Sequence, residues 1–180
     1  MTKKTFIIIL SVVLLLAISF FITILFQKNN KDIGLRSELD IISFNNEYLI
    51  ARNDKSSDVF SYSLYKVLEN EKVKKVFNFE RESELESRLI CWTDTKIYIF
   101  DYYPTYYNLD GKHNNVDQRI SLLELLNNKP GKLDRVFGEF NESIYYEYSH
   151  NEQQYIGKVD LNLENTFELN SFDDLPDKFK

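Results

Sequence analysis

The chain has 180 residues, of which 43% are hydrophobic, 15% aromatic and 28% charged, and its formal net charge is −6. This aromatic content excludes a disordered chain and predicts a folded domain. The excess of carboxylates repels a phosphate backbone, which argues against nucleic acid as a partner, and the single cysteine, Cys91, excludes an intrachain disulfide.

The chain begins with a short basic tail that is followed by a long apolar segment. Residues 1–5 include Lys3 and Lys4, whereas residues 6–26 contain no charged side chain. A helix of this length spans about 31 Å, at about 1.5 Å per residue, which matches the hydrocarbon core of a bilayer. The sequence therefore predicts a single-pass transmembrane anchor at residues 6–26.

A cleaved signal peptide is the alternative interpretation of this segment. Ala17-Ile18-Ser19 has the small residues of a cleavage site, but the apolar residues 20–26 follow it, so an uncleaved anchor is favoured. Lys and Arg are nearly balanced on the two sides of the segment. The short tail and the tyrosine-rich domain favour residues 1–5 in the cytoplasm and the C-terminal domain outside the cell membrane.

Residues 27–38 are polar and are predicted to form a stalk, and residues 39–180 are predicted to form an extracytoplasmic β domain. Apolar and aromatic runs alternate with polar turns in this domain, which is typical of antiparallel hairpins. The predicted strands cover residues 48–51, 59–65, 73–79, 96–102, 143–148 and 154–161.

Residues 117–128 break the strand pattern with a run of leucines at nearly helical spacing. They predict a short helix that begins at Asp117 and ends at Asn128 or Gly131. A pair of strands is the alternative.

A spacing of 48 residues recurs along the domain. It separates Phe44, Trp92 and Phe140, each of which is followed by a polar turn and then by a strand. The pattern resembles the blades of a β-propeller, and three hairpin units packed as a small sandwich account for it equally. The predicted fold class is therefore mainly β, with antiparallel hairpins in a sandwich or in propeller-blade-like units after one transmembrane helix.

The sequence contains no recognisable catalytic or metal motif. His113 and His150 are isolated, whereas a zinc site needs several converging ligands, and neither a nucleophile elbow nor a glycine-rich phosphate loop occurs. Glutamates alternate through residues 80–86 with Arg81 and predict a solvated, self-paired linker. Cys91 follows apolar residues and is predicted to be buried. No catalytic residue, metal or cofactor is predicted, which argues against an enzyme.

Residues 98–107, with the sequence YIFDYYPTYY, form the most unusual segment. Because Pro104 prevents a regular central strand here, the tyrosines of this segment cannot all point inward. Amphipathic tyrosines are suited to protein partners, glycans or the lipid interface, although a tyrosine-rich edge that packs on the domain is the alternative. The predicted binding residues are Tyr102, Tyr103, Tyr106 and Tyr107.

Together these features predict a membrane-anchored extracytoplasmic binding or interaction module, and they leave its ligand and its oligomeric state open. The expected partners are the membrane and a cell-envelope protein or glycan. A small accessory or immunity-type membrane protein, in which the anchor itself meets the partner, is one alternative. An anchored enzyme whose carboxylates come together only in the fold is another.

Overall fold

The computed structural model describes residues 33–53, 59–111 and 120–180. Within these residues, twelve strands form three antiparallel sheets, so the prediction of a mainly β fold is confirmed. The strands are β1 Ile33–Leu35, β2 Asp40–Asn45, β3 Tyr48–Arg52, β4 Phe60–Val67, β5 Lys72–Arg81, β6 Ile90–Trp92, β7 Lys96–Ile99, β8 Thr105–Asn108, β9 Lys132–Phe140, β10 Ser143–His150, β11 Gln153–Asp160 and β12 Thr166–Glu168.

The three sheets follow one another along the chain. The first sheet has the strand order β1-β5-β4-β3-β2, the second has the order β6-β7-β8 and the third has the order β12-β11-β10-β9. Phe44 lies in β2 next to the β2–β3 turn, whereas Trp92 and Phe140 end β6 and β9, each next to the following turn. The 48-residue spacing therefore marks one equivalent hairpin in each sheet.

Asparagine allows tight turns in a chain that has only five glycines. The β9–β10 turn has Asn141 at φ 48° and Glu142 at φ 59°, and the β10–β11 turn has Asn151 at φ 49° and Glu152 at φ 63°. Two consecutive residues with positive φ give the backbone twist that a two-residue hairpin requires, and asparagine adopts this conformation more readily than most residues.

The predicted helix is present, but it is shorter than expected. Helix α1 is Leu122–Leu125, and the Ser121 hydroxyl caps it by accepting from the Glu124 N–H at 3.2 Å. The helix ends early because Asn127 and Asn128 have φ values of 53° and 59°, which a right-handed helix excludes. The cap predicted at Asp117 lies outside the described residues.

The second sheet lies between the other two and buries both of its faces. Ile97 and Ile99 of β7 pack against the first sheet, whereas Cys91 of β6 and Tyr98 of β7 pack against the third. Successive residues of a strand point to opposite faces, so a strand that is buried on both sides has a continuous apolar run. This explains why β6 and β7 lack the alternation of polar and apolar residues.

The predicted burial of Cys91 is confirmed. Its side chain is 3% exposed, between the second and third sheets. Burial raises the pKa of the Cys91 thiol to about 12, so the thiol is protonated near neutral pH and behaves as a small apolar side chain.

The two outer sheet faces are covered by segments close to the ends of the described chain. Between β1 and β2, which lie at opposite edges of the first sheet, Leu39 packs on the outward-facing Leu49 and Ala51. At the other end of the stack, Leu175 and Phe179 pack on the outer face of the third sheet. The described residues thus cap both ends of the stack, as terminal units of layered folds do.

The six predicted strands correspond to β3, β4, β5, β7, β10 and β11, and the other six strands were not predicted. Two of the differences have a clear physical reason. Residues 33–35 lie in the predicted stalk, yet they form β1 and pair with β5. The strand predicted at residues 96–102 ends at Ile99 because Asp101 turns inward to pair with a buried arginine, as described below. The formation of β1 was not predicted because a segment of only three residues, Ile33–Leu35, can extend a sheet edge through backbone hydrogen bonds without a strand pattern in its side chains.

The predicted anchor at residues 6–26 lies outside the described residues. Among the residues that are described, the structure contains no helix of sufficient length and apolarity to traverse a bilayer.

The pKa values of three buried tyrosines predict how the stability of the fold depends on pH. Burial raises the pKa values of Tyr98, Tyr146 and Tyr148 above their ordinary value, whereas a phenol in the unfolded chain ionises near pH 10. The contribution of these three phenols to the stability of the fold is therefore fully present below about pH 10. It is lost as the pH rises from there towards the folded-state pKa values.

We expect the free energy of unfolding of the full chain, measured by denaturant titration, to decrease as the pH rises from about 10 to about 12. Tyr148→Phe removes one of these ionisations and should flatten the decrease. Tyr102→Phe replaces an exposed phenol and serves as the control, which should leave the decrease unchanged. Equal slopes for wild type and Tyr148→Phe would contradict the assignment.

Candidate binding site

The loop between β7 and β8 presents an exposed aromatic pair. Tyr102 is 64% exposed and Tyr103 is 39% exposed. Their ring centres are 4.7 Å apart with an interplanar angle of 88°, which is the edge-to-face arrangement that aromatic pairs favour. The pair therefore has a defined shape although it lies at the surface.

A buried ion pair lies directly beneath this loop. Arg81 is the last residue of β5 and is 7% exposed. Its Nε donates to Asp101 Oδ2 at 2.6 Å, and its Nη2 donates to Asp101 Oδ1. This is the bidentate arrangement that a guanidinium and a carboxylate form when both are fixed. The prediction that Arg81 belongs to a solvated linker is wrong, because Arg81 pairs with Asp101 inside the fold.

The same guanidinium also fixes the backbone of the loop. Arg81 Nη2 donates to the Tyr103 carbonyl oxygen at 2.6 Å, and Arg81 Nη1 lies 3.2 Å from Thr105 Oγ1. The Thr105 hydroxyl donates to the same carbonyl at 2.7 Å, and the Tyr103 N–H donates to Asp101 Oδ1 at 3.0 Å. The position of Tyr103 is thus set from its N–H and from its carbonyl.

Electrostatics keep this network charged. Burial alone lowers the pKa of Arg81, but the hydrogen bonds and the charge of Asp101 outweigh burial and raise the pKa above its ordinary value. The guanidinium therefore remains protonated and keeps all its donors for Asp101, Tyr103 and Thr105. We refer to Arg81, Asp101 and Thr105 as the clamp.

Two surface pockets flank the tyrosine pair. One, of about 420 Å³, places Tyr102 and Tyr103 opposite Leu122, Leu123 and Pro130. Leu123 is 48% exposed, so the apolar surface continues from the rings onto α1.

The second pocket lies on the other side of the tyrosine pair and has a volume of about 280 Å³. Glu80 and Glu82 line it and are exposed. The tyrosine rings thus stand between an apolar surface and an acidic one.

The other two predicted binding residues lie elsewhere. Tyr106 and Tyr107 are neighbours in β8 and point to opposite faces of the second sheet. Tyr107 is buried against Phe79, with ring centres 4.9 Å apart, and Tyr106 packs on Tyr98 at 5.6 Å. The strand period of two explains this division, which the sequence pattern did not reveal because the position of the turn was unknown.

The described carboxylates with clearly lowered pKa values take part in ion pairs, in helix capping or, in the case of Asp160, in the turn that follows β11. Hydrogen bonds from Arg88 and Lys129 lower the pKa values of Glu86 and Glu168, and hydrogen bonds from Ser121 lower that of Glu124. A general acid near neutral pH needs a raised pKa instead, so these three groups are not suited to that role.

The described histidine, His150, is the last residue of β10 and lies next to the β10–β11 turn. His150 Nδ1 lies 2.6 Å from the Pro130 carbonyl oxygen, and its Nε2 lies 3.0 Å from Asn151 Nδ2, whereas His113 lies outside the described residues. In the described part of the chain, no group of three or more His, Cys, Asp or Glu side chains is arranged to hold a metal ion.

Comparisons of the chain with protein-family models, with curated proteins and with solved structures find no match.

The clamp predicts a large loss of stability when one of its partners is removed. Asp101→Ala leaves the buried Arg81 charge uncompensated, which costs about 3–5 kcal/mol of unfolding free energy. Replacing both partners, as in Arg81→Met with Asp101→Leu, should recover much of this loss. Chemical denaturation measures both effects.

The matched control is Asp94→Ala, which removes an exposed carboxylate and should change the free energy of unfolding by less than about 0.5 kcal/mol. A loss for Asp101→Ala as small as that of the control would show that the clamp does not stabilise the fold.

Proposed function

We propose that the protein is a membrane-anchored extracytoplasmic binding module that recognises a cell-envelope protein through Tyr102 and Tyr103. The observation that carries this proposal is the clamp, in which the buried Arg81 and the partly buried Asp101 fix the backbone beneath two exposed aromatic rings.

The energetics of the clamp support a role in recognition. Taking two charges out of water is costly, and a well-packed apolar pair is often as stable, so the ion pair is not needed for stability alone. What Arg81 adds is a fixed position for the Tyr103 carbonyl. A surface loop that is already ordered loses less conformational entropy when it binds.

The side chains on the clamped loop are of the type that carries binding energy. Tyrosine is enriched among the residues that dominate protein interfaces, because it buries a large ring and keeps a polar tip. Tyr102 and Tyr103 adjoin the exposed Leu123, with Glu80 and Glu82 on the other side. An apolar centre with a charged margin is the usual anatomy of a protein interface.

The predicted anchor limits where the partner can be. Residues 27–32 separate the end of the predicted span at Phe26 from Ile33, where β1 begins. A fully extended segment of this length reaches about 20 Å, at about 3.3–3.6 Å per residue. The β domain is therefore held close to the bilayer, and we infer that its partner is also a component of the envelope near the membrane.

Site-specific photocrosslinking tests the recognition surface. Tyr102→p-benzoylphenylalanine places a reactive ring on the clamped loop, and Phe167→p-benzoylphenylalanine places one at an exposed aromatic position on β12. In cells that make the chain naturally, irradiation should give one discrete adduct with an envelope protein from position 102 and none from position 167. Equal adducts from both positions, or none from position 102, would contradict the proposal.

The anchor and its orientation have a separate test. Because residues 6–26 are long and uncharged, the full chain should remain in the membrane pellet after alkaline carbonate washing and should keep its uncleaved mass. A tag at the C-terminus should be removed by external protease on intact cells. Protection of that tag would reverse the orientation, and a mature N-terminus at residue 20 would show a cleaved signal peptide instead.

A further inference from the structure

A third pocket, which we call the hairpin pocket, lies where the three equivalent hairpins meet. The turn after β2, the turn after β6 and the end of β9 all line one open pocket of about 960 Å³. The C-terminal residues Lys178 and Phe179 complete its wall. Its lining shares no residue with the two pockets that flank Tyr102 and Tyr103, so this hairpin pocket is a separate site.

We propose that the hairpin pocket binds a neutral saccharide. The proposal is independent of the protein-recognition surface at Tyr102 and Tyr103. It rests on the aromatic side chains of the pocket, on the mixed donors and acceptors at its rim, and on the balance of charge around it.

Four of the fifteen residues that line the pocket are aromatic. Tyr48 begins β3, Trp92 ends β6, Phe137 belongs to β9 and Phe179 lies near the C-terminus. The indole N–H of Trp92 donates to Ser43 Oγ at 2.9 Å, which fixes that ring. Fixed rings beside a few polar groups are the common composition of a ligand pocket, and they offer apolar faces to the C–H groups of a sugar ring.

Polar side chains with unused hydrogen-bonding capacity stand at the rim. Asn46, Glu47, Asp94 and Thr95 are exposed, and their side chains form no hydrogen bond with another residue of the described ranges. An amide and a hydroxyl donate and accept, whereas a carboxylate only accepts. The rim therefore offers both kinds of partner, and the two turns that supply them occupy equivalent places in the first and second sheets.

The charges of the pocket decide between classes of ligand. Three carboxylates, Glu47, Asp94 and Glu139, line the pocket together with one base, Lys178. A second base, Lys66, lies 5.7 Å from the centre of the Tyr48 ring. Carboxylates therefore outnumber bases around the pocket, so an anionic ligand is disfavoured. The Lys178 ammonium already donates to the Glu139 carbonyl and lies 4.8 Å from the centre of the Phe179 ring.

A cationic ligand would find acceptors in this pocket, but it would leave the donors of Asn46 and Thr95 unused. Sugar hydroxyl groups both donate and accept, so a saccharide engages both kinds of group. The combination therefore favours a neutral saccharide over a cation.

The chain carries its own reporter for this site. Trp92 is the only tryptophan in the sequence, and it lines the pocket. Intrinsic tryptophan fluorescence of the full chain therefore reports on occupancy of this pocket directly. Because the predicted anchor requires a detergent in solution, we choose a polyoxyethylene detergent. It contains neither a sugar nor a charged group that could compete with the ligand for the pocket.

The test titrates the full chain with chitotetraose, cellotetraose and maltotetraose as neutral probes. We expect at least one of them to give a saturable change in Trp92 emission. For that sugar, Asp94→Asn and Tyr48→Ala should each raise the Kd by at least about tenfold. Tyr102→Ala, at the other site, should leave the Kd unchanged and serves as the control. Circular dichroism confirms that each variant is folded, and Asp94→Asn, which changes an exposed side chain, decides the result if Tyr48→Ala unfolds.

Three outcomes would overturn the proposal. The first is the absence of a saturable change with all three sugars. The second is a Kd that rises equally in Tyr102→Ala and Asp94→Asn, which would show that the sugar binds at Tyr102 and Tyr103 or binds nonspecifically. The third is a saturable change with spermidine alone that disappears at high salt, which would make the pocket a cation site. Failure of the Tyr102 crosslink leaves this test unaffected, so the two proposals fail separately.

Discussion

Burial of the second sheet on both faces is the constraint on which the rest of the fold depends. Ile97 and Ile99 contribute to the core shared with the first sheet, and Tyr98 contributes to the core shared with the third. Its three strands are only three or four residues long, and apolar side chains leave both of its faces. Keeping both faces from water therefore takes a neighbour on each side. The outer sheets in turn each have one remaining face, and Leu39 and Leu175 cover these.

The same constraint explains why two of the tyrosines in residues 102–107 are packed inside the fold and two are exposed at the surface. Once β8 lies in a sheet that is buried on both sides, Tyr106 and Tyr107 must enter opposite cores. Tyr102 and Tyr103 stay outside because the chain between β7 and β8 has to turn. The clamp then makes that turn rigid, since Arg81 arrives at the end of β5 with its guanidinium beneath the loop. A requirement of packing thus leads to an ordered surface.

The stacking of equivalent hairpins has a second consequence. Because each sheet contributes its turn at the same end of the stack, the turns that follow Phe44 and Trp92 and the end of β9 line one pocket. Turns are rich in Asn, Asp, Glu and Thr because these residues satisfy local backbone groups. A repeated turn therefore surrounds the pocket with polar side chains, and the strand ends next to it supply aromatic rings. The tyrosine loop and the hairpin pocket derive from one architecture but use different residues.

The sequence by itself determined only half of the strands, because β1, β2, β6, β8, β9 and β12 were not predicted. The alternation of apolar runs and polar turns located six strands, such as those that begin near Tyr48 and Ser143, because strand periodicity and turn chemistry are properties of neighbouring residues. The 48-residue spacing similarly located one hairpin in each sheet, and the apolar neighbours of Cys91 predicted its burial. Only the tertiary structure decided which long-range groups meet. Arg81, at the end of β5 in the first sheet, pairs with Asp101 in the loop that follows β7 of the second sheet. The sequence pattern had instead suggested the neighbouring glutamates as its partners. The hairpin pocket likewise exists only because the sheets stack. The local sequence pattern does not reveal that turns 48 residues apart along the chain lie close together in space.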